Sequence, residues 1–311
     1  MQSEYREKLL EVNNLSVTFG RGRRRFEAVK GVTFHVFRGE TFGVVGESGS
    51  GKTTIGRAIV RVHPTSGGEI KFGGQIISGK LNKEDDLAVT RKIQMIFQDP
   101  MASLNERAKI DYIVSEGMQG RRIPKANLRN MVMDALQDVG LLPEFSSRFP
   151  HEFSGGQRQR IGIARALIMK PEFIIADEPI SALDVSIRAQ VLNLLSDLQK
   201  KHGLTYLFIS HDLSVMRFIC DRIAVIHKGV LVEMADTEAL FEHPLHPYTR
   251  ALLSAIPQPN PIVEKQKVLE VYDPSIHDYQ TDAPFFRQIR PGHFIHANKR
   301  EWEEYEDILV S

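Results

Sequence analysis

An apolar segment that runs directly into a glycine-rich turn is the sequence feature that most constrains the fold. Residues 40–45 read ETFGVV, which is typical of a buried strand, and the turn GESGSGKTT follows at residues 46–54. Beyond the turn, an apolar pattern at helical spacing continues until Pro64. Its members are Ile55, Ala58, Ile59 and Val62. A strand, a glycine turn and a helix in this order predict an α/β unit.

The turn fits the pattern G-x-x-x-x-G-K-S/T through Gly46, Gly51, Lys52 and Thr53. Its glycines let the backbone turn N–H groups inward, and the following helix adds its positive end, so the turn suits a phosphate. Lys52 would reach the β- and γ-phosphates of a nucleotide, and the Thr53 hydroxyl would bind Mg²⁺. The alternative is an ordinary glycine-rich turn. A chance match has a probability of about one in a hundred in a chain this long, which favours the phosphate loop, the name used below for residues 46–54.

A second chemical signal is an acidic strand end. Residues 173–179 read FIIADEP, an apolar strand that ends in Asp177. A carboxylate there is the usual Mg²⁺ partner of a phosphate loop. Glu178 follows, where it could orient an attacking water and accept its proton. The alternative is an acidic turn before a proline.

Apolar segments that alternate with helical patterns predict a parallel sheet covered on both faces. The strand candidates include residues 93–97 and 206–210, with helical patterns at residues 110–139, broken near residues 120–124, and at residues 187–201. Polar residues follow these strands, at the edge where ligands of parallel sheets collect. They are Gln98, the SALD turn at residues 181–184 and His211. Each could also be a routine turn or capping residue.

Two further β segments, residues 9–19 and 28–37, precede the phosphate loop. A basic run between them, residues 21–25, is either a solvated loop or a contact to phosphate or lipid headgroups. A second glycine-rich stretch, FSGGQ at residues 153–157, is called the signature loop below. It also suits a phosphate, and a long helical pattern follows it.

In this order, GESGSGKTT, Gln98, FSGGQ, IIADEP, SALD and His211 resemble the ATPase subunits of ABC transporters, over residues 9 to about 259. The resemblance implies an α/β fold with a mostly parallel core sheet, an antiparallel N-terminal β part and a helical subdomain at about residues 100–165. The nucleotide-binding domain would span residues 1–259, and a C-terminal extension residues 260–311.

The resemblance also implies a head-to-tail dimer, in which the signature loop of one chain covers the ATP bound by the other. Gln98 would contact Mg²⁺ and the water, His211 the γ-phosphate, and Phe19 the adenine ring, with Phe26 as a rival. The expected Mg²⁺ ligands are Thr53, Gln98 and Asp177, and the expected catalytic residues are Glu178, His211 and Gln98. The residues expected at the nucleotide are Phe19, Gly46, Glu47, Ser48, Gly49, Ser50, Gly51, Lys52, Thr53, Thr54, Ser154, Gly155, Gly156, Gln157 and Asp184.

A narrower resemblance comes from FEHPLHPYTRALLSAIPQPNP at residues 241–261. It is similar to the C-terminal signature of ATPases that drive oligopeptide or dipeptide import, in particular the second of the two ATPase subunits. Such a chain pairs with a related ATPase beneath two membrane permeases, which an extracytoplasmic peptide-binding protein supplies. The pattern itself predicts a helix that begins near His246 and Pro247 and ends at Pro257. Its predicted apolar face comprises Leu252, Leu253 and Ile256.

Composition limits the other functions. The net charge of +1 indicates no nucleic-acid partner, and no apolar run approaches the roughly 18 residues of a spanning helix. The resemblance implies that the chain is a peripheral protein at the cytoplasmic face of the membrane. The N-terminus lacks the apolar segment of a signal peptide. Cys220 is the only cysteine, so we expect no iron–sulfur cluster, although many relatives have cysteines after this signature. A histidine metal site is the alternative, from His243, His246, His277, His293 and His296.

Two other functions remain as alternatives. A soluble ABC protein acting on ribosomes or DNA typically fuses two cassettes or inserts a long coiled coil, and neither is present. A subunit that binds nucleotide without hydrolysing it is disfavoured because Glu178 and His211 fill both hydrolytic positions. The tail at residues 262–311, with the only tryptophan, Trp302, could brace a subunit contact or pack locally.

Overall fold

The computed structural model describes residues 6–257 and 267–310. The chain divides into two compact units. The first comprises residues 1–7, 37–40 and 79–207, and the second comprises residues 8–36, 41–78 and 208–311.

The strands of the described residues are β1 Lys8–Phe19, β2 Phe26–Phe37, β3 Thr41–Val45, β4 Gly67–Phe72, β5 Gln75–Ile76, β6 Ile93–Ile96, β7 Phe173–Asp177, β8 Thr205–Ser210, β9 Arg222–His227, β10 Val230–Asp236, β11 Phe285–Arg290 and β12 His293–Ala297. The α-helices are α1 Lys52–Ile59, α2 Lys83–Lys92, α3 Pro100–Ser103, α4 Ile110–Ser115, α5 Lys125–Asp138, α6 Gly155–Leu167, α7 Val185–His202, α8 Leu213–Ile219, α9 Thr237–Glu242, α10 Pro247–Ser254 and α11 Lys299–Val310.

The second unit contains a four-stranded sheet of order β2-β1-β4-β5, and β1 pairs antiparallel with β4. Leu10 and Val12 of β1 lie opposite Phe72 and Ile70, and all four side chains are buried. The antiparallel N-terminal β part predicted from the sequence is therefore present.

The same unit contains strands in the order β11-β12-β10-β9-β3-β8. Its last segment begins at residue 208, so only the second half of β8 belongs to it. Strand β3 pairs parallel with β9, and every side chain of β3 is buried, as its apolar sequence predicts. The pairings β9–β10, β10–β12 and β11–β12 are antiparallel. The tail thus contributes two strands to this sheet.

The tail also packs its helix locally. Helix α11 places Tyr305, and Trp302 beside it, against a core of Leu245, Ile295 and Ala297. Tyr305 is only 4% exposed. Of the two interpretations of the tail, local packing is the one that these contacts support.

In the first unit, β6 and β7 pair parallel, with Met95 opposite Ile175. Helix α6 packs against α4 and α5. The helical region predicted over residues 110–139 is present, and its predicted break lies between a 3-10 turn, Glu116–Met118, and the start of α5.

Two predicted details are wrong. Helix α1 ends at Ile59, and Val62 is 64% exposed rather than on a buried face. Arg61 adopts a left-handed conformation (φ 65°), which lets the amides of Val62 and His63 bond back to the carbonyl of Arg57 and end the helix.

Helix α10 begins at Pro247 with His246 as its N-cap, as predicted, but its buried face differs. Tyr248 and Thr249 are its buried side chains. The predicted apolar residues Leu252, Leu253 and Ile256 are only half-buried, and the helix ends at Ser254 rather than at Pro257. An apolar pattern could not identify this face because its main contacts are aromatic and polar.

A buried carboxyl group joins three parts of the second unit. Glu233 of β10 is 0% exposed and accepts hydrogen bonds from the amides of Leu245 (2.8 Å) and His246 (3.0 Å). Its Oε1 also lies 2.7 Å from Nε2 of His293 on β12. Glu233 therefore fixes the start of α10 against β10 and β12.

Next to this junction, five aromatic rings form what we call the ring cluster: His227, His246, Tyr248, Tyr272 and His277. The shortest distance between ring centroids is 4.2 Å, between His227 and Tyr248. The carboxyl group of Glu301 pairs with Nδ1 of His277. Although burial raises the pKa of Glu301, its hydrogen bonds with His277 and the Asn298 amide lower it on balance.

The histidines considered as metal ligands have other neighbours. His243 is exposed, His296 contacts the ring of Tyr279, and the other three lie in the ring cluster or beside Glu233. In residues 6–257 and 267–310, no group of three or more His, Cys, Asp or Glu side chains is arranged to hold a metal ion. Every helix in the same residues is too short or too polar to span a bilayer.

The N-cap of α10 should make stability pH-dependent. Nδ1 of His246 accepts a hydrogen bond from the Tyr248 amide (3.1 Å), which requires an unprotonated nitrogen. Burial, and then the neighbouring His277, lower the pKa of His246 well below its usual range. Below a pH of about 6.5, His246 takes up a proton in the unfolded chain but not in the folded chain. The free energy of unfolding therefore decreases as the pH is lowered.

We therefore expect the melting temperature to fall between pH 7.5 and pH 5.5, and to fall less in His246→Asn. Asparagine also caps helices but does not titrate. The exposed His243→Asn is the matched control and should behave as wild type. An equal fall in His246→Asn and wild type would contradict this role of His246.

Candidate active site

The phosphate loop connects β3 to α1 within the second unit. Its own hydrogen bonds shape it: the amide of Ser50 donates to the carbonyl of Glu47 (3.2 Å), and the amide of Ile55 donates to that of Gly51 (3.0 Å). The amide of Gly229, in the turn between β9 and β10, donates to the carbonyl of Ser50 (2.9 Å). The loop is thereby held against its neighbours.

Two glycines are required by close packing. A Cβ atom at Gly46 would lie 2.2 Å from the carbonyl oxygen of Ile226, and one at Gly51 would lie 2.5 Å from that of Ala28. Gly51 also has a φ of 106°, in the region that favours glycine. Close backbone packing therefore explains why the first and sixth positions of the motif are glycine in this chain.

Lys52 begins α1 and is only 4% exposed. Its ammonium group donates to the carbonyls of Gly46 (2.7 Å) and Glu47 (2.8 Å). A buried cation needs such acceptors because it has left water. The ammonium group therefore lies over the loop, where a bound phosphate would meet it.

The acidic strand end lies in the first unit. Asp177 closes β7 and is 2% exposed, and Glu178 follows with a left-handed backbone (φ 46°). Such a conformation is uncommon for a residue other than glycine and is concentrated at functional sites. The turn is held by Ser181, whose Oγ and amide both donate to the carbonyl of Glu178 (3.0 and 3.2 Å).

Gln98 and Glu178 are brought together by the structure, as the pairing of parallel strands predicts. Nε2 of Gln98 donates to Oε2 of Glu178 at 3.0 Å. Because β6 and β7 run parallel, the residues that follow them lie at the same edge. An amide and a carboxylate at this distance could together orient a water molecule.

The signature loop ends in the N-terminus of α6. Ser154 is the N-cap: its Oγ accepts from the Gln157 amide (3.3 Å), and Oε1 of Gln157 accepts from the Ser154 amide (3.0 Å). This reciprocal capping box satisfies two of the amides at the helix end. Ser154 and Gly155 are exposed, so the helix end faces solvent in this chain.

The signature loop also contacts the SALD turn. A Cβ atom at Gly156 would lie 2.5 Å from Cγ2 of Ile187 in α7, and one at Gly155 would lie 3.8 Å from Leu183. Asp184, the N-cap of α7, is exposed. The contact with Ile187 could not be predicted from the sequence, because an apolar residue in a helix is ordinary.

The remaining predicted residues lie in the second unit. His211 is exposed directly after β8. Phe19 is 38% exposed, with its ring edge-on to that of His63 at 5.1 Å, and its rival Phe26 is 61% exposed. Both aromatic rings are accessible, so the choice between them for adenine stays open.

One contact to the phosphate loop was missed from the sequence. The hydroxyl of Tyr248 in α10 accepts a hydrogen bond from the amide of Glu47 at 3.1 Å. Its only sequence signal is its place in the stretch at residues 241–261, which resembles a C-terminal signature of peptide-import ATPases and whose own pattern predicts a packing helix.

Comparison with known families agrees with this architecture. Residues 29–181 match the family described as ABC transporter, and residues 232–288 match the oligopeptide/dipeptide transporter C-terminal region. The first match contains the phosphate loop, the signature loop and the acidic strand end. The second contains Glu233, Tyr248 and most of the ring cluster.

Curated relatives match over nearly their whole length. The oligopeptide transport ATP-binding protein AmiF of Streptococcus pneumoniae serotype 4 is 62% identical, with 97% of this chain and 99% of the relative covered. The oligopeptide transport ATP-binding protein OppF of Bacillus subtilis is 51% identical, with 96% and 99% covered.

Solved structures share the fold. CbiO1 from Clostridium perfringens, part of the ABC transporter complex cbiONQ, is 28% identical with a TM-score of 0.68, covering 76% of this chain and 91% of that one. The ATP-binding cassette MJ0796, as a dimer bound to ADP and Pi, is 27% identical with a TM-score of 0.65, covering 73% and 98%. The predicted α/β fold is confirmed.

The chain therefore belongs to the ABC transporter family, among the ATP-binding subunits that carry the oligopeptide/dipeptide transporter C-terminal region. It binds and hydrolyses ATP as the motor subunit of such a transporter.

The capping box at Ser154 generates a stability prediction. Ser154→Ala removes the side-chain acceptor for the Gln157 amide and should lower the free energy of unfolding by about 1 kcal/mol, measured by urea denaturation. Ser154→Asp is the matched variant, because aspartate caps equally well and its charge suits a helix N-terminus. If the alanine and aspartate variants unfold at the same urea concentration, Ser154 is not a stabilising cap.

Proposed function

We propose that this chain powers oligopeptide import, as one of two related ATPases that form a heterodimer beneath two membrane permeases. An extracytoplasmic peptide-binding protein would deliver the peptide, and the chain itself would sit at the cytoplasmic face of the membrane. The substrate is supported by the near full-length similarity to oligopeptide transport ATP-binding proteins and by the matching C-terminal region. We assign residues 1–259 to the nucleotide-binding domain and residues 260–311 to the extension.

The observation that carries the catalytic assignment is the pair formed by Gln98 and Glu178. The carboxylate follows the end of β7 with a left-handed backbone, and the amide of Gln98 holds it at 3.0 Å. Glu178 would orient the water that attacks the γ-phosphate and accept its proton, while Gln98 orients the same water. His211 would contact the γ-phosphate.

The phosphate loop would bind the nucleotide of the same chain. Its backbone amides and Lys52 suit the phosphates, and Thr54 and the other loop residues would complete the contact. Phe19 would stack on adenine through its ring face. The ring of Phe19 is accessible for this contact, and the more exposed ring of Phe26 is its rival.

The donor set fits Mg²⁺, the ion that accompanies ATP in phosphoryl transfer. Thr53, Gln98 and Asp177 offer only oxygen donors with one carboxylate, and Mg²⁺ is commonly bound by one or two carboxylates together with substrate phosphates. When bound, the ion would neutralise charge on the phosphates.

The signature loop would complete the nucleotide site of the partner ATPase. At the N-terminus of α6, Ser154 and Gly155 are exposed, and the amide of Gly155 and the helix dipole suit an anion that this chain does not itself bind. Gly156, which is buried, would support this end of the loop from behind. The related cassette MJ0796 is dimeric with ADP and Pi bound, which supports a dimer of this kind. Asp184 would communicate across it.

Glu178→Gln tests the catalytic assignment. The variant should bind ATP as wild type does, but its turnover in the purified complex should fall by about 10² to 10⁴, because a positioned general base is lost. Glu172→Gln is the matched control at the opposite end of the same strand, where the carboxylate pairs with Arg38 and Lys92. Full turnover by Glu178→Gln would contradict the assignment.

Ser154→Asp tests the proposed dimer. The aspartate keeps the helix cap but brings a negative charge towards the partner's γ-phosphate, so we expect ATP turnover of the complex to fall at least about tenfold, by mutual repulsion of the charges. ATP binding to the isolated chain should be unchanged, which separates the partner's site from its own. Wild-type turnover by the assembled Ser154→Asp complex would contradict the head-to-tail arrangement.

A further inference from the structure

The C-terminal region contacts the phosphate loop through the side chain of Tyr248. Tyr248 of α10 is 1% exposed, and its hydroxyl oxygen accepts a hydrogen bond from the amide of Glu47 at 3.1 Å. We propose that Tyr248 is a positioning residue for ATP binding, which acts by fixing the peptide plane between Gly46 and Glu47. This inference rests on the proposed function, in which residues 46–54 hold the nucleotide phosphates.

This peptide plane is held at both ends. The carbonyl of Gly46 and the N–H of Glu47 belong to the same planar unit and point in opposite directions in a trans peptide. The carbonyl accepts from Nζ of Lys52 (2.7 Å), and the N–H donates to Tyr248 (3.1 Å). With both ends bonded, the plane cannot rotate without breaking a hydrogen bond.

The consequence concerns Lys52. Its ammonium group is placed by the carbonyls of Gly46 and Glu47, and the direction of the first carbonyl depends on the orientation of the plane. If the plane rotated, Lys52 would lose one acceptor and with it a defined position over the loop. A preorganised cation binds phosphate more tightly because the cost of ordering it has already been met.

Tyr248 is itself held rigidly. Its amide donates to Nδ1 of His246 (3.1 Å), its ring lies 4.2 Å from that of His227, and Tyr272 packs against it at 5.3 Å. Burial raises the pKa of its hydroxyl to about 12, so the group stays neutral beside the site of an anionic ligand at physiological pH. The hydroxyl therefore has a fixed place and a fixed protonation state.

Tyr248 lies outside the part of the chain that matches the ABC transporter family and inside the matching C-terminal region. Tyr272, which packs on it, lies further along the same region. The C-terminal region would thus stabilise the phosphate loop of its own chain. Loss of the packing around Tyr248 would raise the Kd for ATP.

Tyr248→Phe removes one oxygen atom and keeps the ring. We expect the Kd of the purified full chain for ATP, measured by titration calorimetry, to rise about 3- to 10-fold, as for the loss of one hydrogen bond. In the assembled transporter KM should rise by a similar factor with kcat nearly unchanged, because the loop binds ground state and transition state alike. A merely structural role would lower the melting temperature and the active fraction without moving KM.

Tyr206→Phe is the matched control. Tyr206 is also 1% exposed, and its hydroxyl has no hydrogen-bond partner in the described part of the chain. The control removes a buried tyrosine hydroxyl that does not touch the loop, so its Kd and KM should equal those of wild type.

Hydrogen exchange gives a second measurement. The amide of Glu47 should exchange slowly in the nucleotide-free wild-type chain and faster in Tyr248→Phe, while the amides of β3 stay protected in both. Unchanged Kd, KM and exchange in a folded Tyr248→Phe would overturn the proposal. If the variant does not fold, the same measurement on the wild-type chain tests the proposal. Exchange of the wild-type Glu47 amide at the rate of an unprotected amide would overturn the proposal.

Lys52→Ala separates this inference from the proposed function. It should abolish ATP binding, measured in the same titration. Normal ATP binding by Lys52→Ala would mean that the nucleotide site itself is misassigned. Lost binding in Lys52→Ala with wild-type behaviour in Tyr248→Phe would overturn only the role of Tyr248.

Discussion

The buried carboxyl group of Glu233 is the constraint on which the C-terminal half of this structure depends. A carboxyl group removed from water is costly unless hydrogen-bond partners replace the lost solvent. Here the amides of Leu245 and His246 donate to it, and the ring of His293 lies within hydrogen-bond distance. The two amides belong to the segment that begins α10 and the ring belongs to β12, so satisfying the carboxyl group also fixes the start of α10 against β10 and β12. That junction sets the position of Tyr248 near the start of α10. The hydroxyl of Tyr248 in turn accepts a hydrogen bond from the phosphate loop.

The chemistry of the site depends on a second constraint, which is the direction of the strands. Each polar residue assigned to hydrolysis follows a short buried strand: Gln98 after β6, Glu178 after β7 and His211 after β8. In the interior of a buried strand such a group needs internal hydrogen-bond partners, as Glu233 has, whereas the carboxyl end of a strand can present it to a ligand. The bond between Gln98 and Glu178 is the direct result of the parallel pairing of β6 and β7.

The elements that follow from local pattern could be predicted from the sequence, and those that depend on distant partners could not. The strand before the phosphate loop is almost uniformly apolar, the helix after the signature loop has an apolar face, and each lies beside a glycine-rich loop. By contrast, α1 ends early because of one left-handed residue, Arg61, which no periodicity shows. Strand β12 of the tail pairs with the edge of β10, which lies far away in the sequence. The buried face of α10 likewise depends on distant residues, because Tyr248 packs against other rings of the ring cluster.

The phosphate loop and the signature loop of this chain are held by different kinds of contact, and the difference fits their proposed roles. The phosphate loop is fixed by its own unit: Lys52 and Tyr248 hold one of its peptide planes from both sides. The signature loop is fixed by itself, through the capping box of Ser154 and Gln157. A hydroxyl has one hydrogen to donate and two lone pairs to accept. Because the cap uses Ser154 only as an acceptor of the Gln157 amide, its hydrogen is left for a phosphate oxygen, so a second subunit could supply the ligand without undoing the helix end.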